Sequence, residues 1–142
     1  HPDNAALRQA ILAAGNKIGD WGGDILGRIA VAEKEESVEI MVVTVAELGF
    51  PNGAARAQIY KKALSLGLQL CPAEVGPQMR LQYANQPDKE WILIATEPIA
   101  DSSGRLSVFL VERAGEDRWL SGHRGRPGSF WPGPYRWAFR RK

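Results

Sequence analysis

The stretch Leu70 to Tyr83, LCPAEVGPQMRLQY, decides how the chain divides. It holds the only cysteine, two prolines, a glycine and a carboxylate among small residues, and it ends in an alternating run. It reads either as a reaction centre or as a corner where a helix hands over to a sheet. A nucleophilic thiolate needs a cation or a helix N-terminus to lower its pKa, and a histidine to move its proton. Only His1 and His123 exist, and Cys71 follows the end of a predicted helix, where the dipole disfavours an anion. Pro72 and Pro77 fix the backbone while Gly76 permits a reversal. The corner reading is preferred. It makes Cys71 a small buried residue and gives Glu74 either a salt bridge to Arg80 or a backbone group to cap. Beyond the corner, Met79, Leu81 and Tyr83 alternate with Gln78, Arg80 and Gln82, which predicts a half-buried strand.

Upstream the pattern is helical. Asp3 or Asn4 can cap a first helix whose stripe is Leu7, Ile11, Leu12 and Ile18. The stripe continues as Trp21, Ile25, Leu26 and Ile29, interrupted by five glycines, so two helical pieces are expected with a break near GDWGGD. Glu33 to Ser37 reads as a solvated acidic loop and Val38 to Val43 as a strand. Thr44 and Glu47 have capping-box spacing for a short helix closed by Gly49 and Pro51. Asn52 then opens a longer helix carrying Ile59, Tyr60, Ala63, Leu64 and Leu66 inward and ending at Gly67. This pair invites comparison with a helix-turn-helix, but the first helix is too short and the second carries too few cations. A helix pair packed on a sheet is the preferred reading.

Downstream the period is two. EWILIATEPI, LSVFLVER, RWLSG and YRWAFRR read as strands separated by the turns NQPDK, DSSGR and AGED and by a long Gly/Pro loop, HRGRPGSFWPGP. The expected architecture is therefore α+β: N-terminal helices packed on an antiparallel meander of four to five strands. All 142 residues are expected to form a single domain, with residues 1–36 as an N-terminal helical segment and 44–142 as the helix pair plus sheet.

Five segments carry a resemblance: ELGFPNGA, QIYKKALSLGL, LCPAEVGPQMRLQY, EWILIATEPI, and FW with YRWAF near the end. From Thr44 onward the chain resembles a group of small uncharacterised bacterial proteins. The resemblance implies a small bacterial protein that stands alone. It transfers no activity and no catalytic residue.

Composition narrows the function classes. A hydrophobic share of 44% with 24% charged residues is that of a folded protein. No apolar run approaches the ~18 residues of a membrane span, and one cysteine fits a reducing compartment, so a cytoplasmic protein without a membrane role is expected. Charge is polarised: the first 117 residues carry eleven basic against sixteen acidic groups, whereas Arg118 to Lys142 carries seven basic groups and no acid.

The chemistry-bearing residues are few. Glu74, Arg80 and His123 are the weak candidates for a small hydrolase or toxin-like enzyme, and the sequence leans against an enzyme. Asp117, Ser121 and His123 match no triad spacing. Neither a metal set nor a cofactor motif is present, so none of either is expected. The stronger signal is the basic, aromatic C-terminal loop. His123, Arg124, Arg126, Phe130, Trp131 and Arg136 form the expected ligand-binding set, with an anionic ligand, partner or single-stranded nucleic acid as occupant. Within it, Tyr135, Trp137 and Phe139 share one strand face and read as core, leaving Phe130 and Trp131 as an exposed pair. A third reading docks the stripe from Leu7 to Ile29 into a protein partner or a homodimer.

Overall fold

The computed structural model describes residues 3–32 and 36–141; Glu33 to Glu35 of the acidic loop, His1, Pro2 and Lys142 lie outside them. The first part of the chain forms α1 (Asn4–Ala13), β1 (Lys17–Ile18), α2 (Asp20–Leu26) and β2 (Ile40–Thr44). Then come β3 (Ala54–Ala55), α3 (Arg56–Ser65), β4 (Leu68–Gln69) and α4 (Val75–Gln82). The remainder is β5 (Trp91–Ile94), β6 (Ile99–Ala100), β7 (Leu106–Ala114), β8 (Asp117–Arg124), β9 (Phe130–Trp131) and β10 (Arg136–Arg141).

The α+β class holds, but the sheet is no simple meander. Eight strands form one mixed sheet in the order β1-β8-β7-β5-β10-β2, with β4 added beside β10 and β6 beside β7. The β5-β7-β8 run is antiparallel, as the turns suggested. The final strand does not continue it. β10 passes back between β5, to which it is parallel, and β2, to which it is antiparallel. β1 adds a short parallel pairing to the outer edge of β8.

The alternating run after the corner is a helix, which corrects the strand expected there. Glu74 and Pro77 explain why. Proline is tolerated in a first turn, where its missing N–H has no intrahelical partner to lose, and the Glu74 carboxylate accepts from the Gln78 side chain one turn on (2.9 Å). Gly76 lets the helix lie against β7, since a Cβ there would stand 2.6 Å from that of Phe109. Arg80, placed by the alternation on the polar side of that strand, is fully buried. It donates to Gln86 Oε1 (2.7 Å) and to the backbone oxygens of Glu112 (2.9 Å) and Tyr83 (2.7 Å), stitching α4 to β7 and the following loop. Carbonyl dipoles and an amide stand in for a counter-ion. Of the two roles expected for Glu74, the backbone cap forms and the bridge to Arg80 does not: its carboxylate accepts the Ala32 N–H (2.7 Å).

Two other boundaries move for local reasons. The Thr44–Glu47 box forms reciprocally (2.8 and 3.0 Å) but closes a turn rather than a helix, because Thr44 belongs to β2. The longer helix starts at Arg56, not Asn52: Gly53 takes φ +95° and Ala54–Ala55 pair with Phe130–Trp131. The two helical pieces expected near GDWGGD do form, with the break just before it: Gly19 is the N-cap of α2, and Asp20 to Asp24 lie inside the helix. Gly22 allows the contact, since a Cβ there would meet the Leu120 carbonyl at 2.6 Å.

Two apolar layers flank the sheet. α3 covers one face through Ile59, Tyr60 and Ala63, against Leu93, Leu110, Trp137 and Phe139. α1, α2 and α4 cover the other, where Leu7, Ile11, Ile25 and Leu26 meet Ile92, Phe109, Val111 and Leu120. Of the stripe from Leu7 to Ile29, Leu7, Ile11, Ile25, Leu26 and Ile29 are thus spent on the chain's own core, and Leu12 stays exposed. No helix among the described residues is long and apolar enough to cross a membrane.

Candidate ligand-binding cleft

β8 continues past the strand expected there and carries His123 and Arg124 to its end, at the mouth of a cleft of about 800 Å³. The loop of Arg126 to Ser129 forms one wall, Trp21 of α2 the floor, and Arg105 with Leu106 the opposite wall. Gly122 places the floor: a Cβ at this strand position would lie 2.8 Å from Trp21 Cγ, so only glycine admits the indole. Trp21 is pinned by donating its ring N–H to Ser107 Oγ (2.7 Å).

Arg105 lies over the Trp21 ring at 4.6 Å from its centroid and is held there by Asp101 at 2.8 Å. Burial raises the Asp101 carboxyl pKa. Donation from the Ser103 hydroxyl, the backbone N–H groups of Arg105 and Ser103, and the Arg105 guanidinium outweighs that and holds it at about 2. The result is a shelf of guanidinium on indole, with both layers held in place. Arg124 and Arg126 flank it, exposed, with no ion-pair partner among the described residues.

His123 is half-buried, and its ring meets Trp131 edge-on at 4.8 Å. Its Nδ1 accepts the Arg124 backbone N–H (2.9 Å), which leaves Nε2 to carry the proton of the neutral ring. Burial, and after it the Arg124 charge, lowers its pKa below the ordinary histidine value. It is a neutral, hydrogen-bonding wall at neutral pH.

The expected ligand-binding set is only partly assembled. His123, Arg124 and Arg126 meet at the cleft. Trp131 does not: it is buried in the core beside Trp137 because β9 pairs with β3 and turns it inward, so the exposed aromatic pair is not formed. Phe130 stays exposed but lies across Gly53, outside the cleft. Arg136 lines a different groove, between β2 and α4.

Nor do the weak catalytic candidates converge. Glu74 lies at that second groove, Arg80 in the core and His123 at the cleft. Ser121 donates to Glu112 (2.9 Å) and Asp117 pairs with Lys17 (3.2 Å), so neither reaches His123 as a triad would require. Burial drives the Cys71 thiol up to about 12, Arg140 opposing it, and Sγ lies 3.5 Å from the Ala138 carbonyl. It is protonated and inert. Sequence reading missed Trp21, Arg105 and Asp101 as site residues. The one signal toward them was Gly122, an isolated glycine within a strand, which marks close approach of another group.

No family model, no curated protein and no solved structure matches the chain.

Proposed function

We propose that the protein is a binding protein for an anionic ligand that carries a planar ring, with single-stranded nucleic acid as the favoured class. The observation that carries this reading is the juxtaposition, in one cleft, of the Arg105–Trp21 shelf with two arginines that have no ion-pair partner among the described residues. Phosphates are drawn by unpaired guanidinium groups, and bases stack on guanidinium planes and aromatic rings. The Arg118–Arg141 charge excess supports the same ligand sign.

The test is fluorescence anisotropy with labelled oligo(dT) and oligo(U), and with a labelled mononucleotide in parallel, at roughly 50 and 200 mM salt. Binding of the oligomers should weaken steeply with salt and drop about tenfold or more in the Arg124→Ala/Arg126→Ala variant. Tight binding of the mononucleotide alone assigns the cleft to a small phosphorylated ligand. Absence of binding to every probe at low salt, or binding indifferent to the double substitution, overturns the reading.

A further inference from the structure

A second surface lies at the opposite end of the sheet. Among the described residues β2 pairs with β10 alone and ends the strand order. Hydrogen bonding fixes which way its backbone points. Arg141 donates to the Glu39 carbonyl (2.9 Å) and Val45 donates to the Tyr135 carbonyl (3.0 Å), so odd-numbered residues face β10. Ile40 and Val42 therefore direct their N–H and C=O groups away from the sheet.

Natural edges are blunted by lysine, proline, bulges or a covering loop. IMVVT contains none of the side-chain devices, and Met41 and Val42 are 40% and 39% exposed. Among the described residues the edge is closed at one point only, where the Glu47 carboxylate takes the Thr44 N–H (2.8 Å). The side chains of Ile40 and Val42 fall on the sheet face that borders a groove of about 1280 Å³, which Tyr83, just past the end of α4, also lines. Among the described residues three carboxylates line that groove, Glu36, Glu74 and Glu90, against one cation, Arg136. Glu36 is neutralised by Arg140 (3.1 Å), which leaves Glu74 and Glu90 as the acidic wall.

We propose that the free edge of β2 receives an extended peptide with alternating basic and apolar side chains, adding a strand to the sheet. Main-chain bonds to Ile40 and Val42 would hold the guest, and the period of two would send its basic residues toward Glu74 and Glu90. The sign of the groove selects a basic partner, the reverse of the cleft at the other end. The inference does not rest on the cleft reading, and the Arg124→Ala/Arg126→Ala variant keeps this binding.

The probe is a short fluorescent peptide of alternating lysine and valine. Its control has the same sequence with N-methyl groups on alternate residues, which removes backbone donors and leaves charge and side chains intact. The parent peptide should bind at least about tenfold tighter than the control. Val42→Pro removes the outward donor without touching the β2–β10 ladder and should abolish the difference. If circular dichroism shows that this variant misfolds, Val42→Lys, at an exposed position, gives the same readout by repelling the peptide. Glu74→Gln/Glu90→Gln should weaken binding and flatten its salt dependence. Equal affinity for parent and methylated peptides overturns the proposal. So does a protein that sediments as a dimer, reverts to monomer on Val42→Lys and binds neither peptide; that result assigns the edge to a second copy.

Discussion

Arg80 and the pair Arg124 and Arg126 carry the same charge in opposite circumstances. Arg80 is wholly enclosed, and its two terminal nitrogens donate to Gln86 and to backbone carbonyls from three segments. Burial, with Arg118 and Arg113 nearby, lowers its pKa to about 10, so it stays charged at neutral pH. Arg124 and Arg126 stand exposed without a described partner. Arg105 lies between the extremes, half-exposed but held by Asp101 over Trp21. The gradation teaches that in this chain an arginine's role follows from how many of its donors the fold has already used. Arg80 has its terminal nitrogens committed to structure, while the cleft pair keeps its donors for a ligand.

Removing Arg80 should break the molecule where removing the rim arginines does not. Arg80→Ala leaves buried acceptors without donors and opens a cavity, and should cost about 3–5 kcal/mol in urea unfolding. Arg80→Lys should recover little of it, because a point charge cannot span acceptors placed for a planar fork.

Asp101→Asn probes the intermediate case. The native carboxyl titrates at about 2 in the folded protein, below its ordinary 3.8. Its contribution is therefore fully present above that ordinary value and is lost as pH falls through about 2. Melting temperatures followed through this acid window should fall less steeply in Asp101→Asn than in the native protein, and the Trp21 emission should shift as Arg105 leaves the ring.

The smallest effect belongs to Arg124→Ala, which should leave stability within ~0.5 kcal/mol of native. It should nevertheless raise the His123 pKa, read by NMR titration, without restoring the ordinary value, because burial is the larger cause. Since the native histidine resists protonation, stability declines as pH drops through the ordinary histidine value of 6.5. That decline should be shallower in the variant. A large stability loss on Arg124→Ala would erase the contrast with Arg80.

Local chemistry in the sequence was informative where a residue's job is local. Asp3 caps α1 by accepting the Ala6 N–H (2.8 Å), Gly67 follows α3 at φ +89°, and Trp137 and Phe139 sit on one buried face of β10. The reading failed where partners distant in sequence decide. Gln78 to Tyr83 is short enough to alternate by coincidence, and Arg80 falls on the polar side of that alternation until Gln86 and Glu112 are placed around it. Trp131 sits among loop residues, and only its pairing with Ala54 turns it inward. The cleft was half legible: the cations were visible as charge, but Trp21 and Asp101 reach it from elements far upstream.

The position of β10 has a consequence for how the chain is made. A ribosome delivers β2, β5, β7 and β8 first, and all of them emerge before the strand that lies between β5 and β2. Until residues 136–141 leave the exit tunnel, β2 has no neighbour in the sheet, and Val43 and Leu93 lack Trp137 and Phe139 to pack against. The β7–β8 hairpin can close early, but this part of the sheet waits for β10. During that interval the apolar strand IMVVT is exposed on both edges, and it is the segment for which a chaperone would have most use.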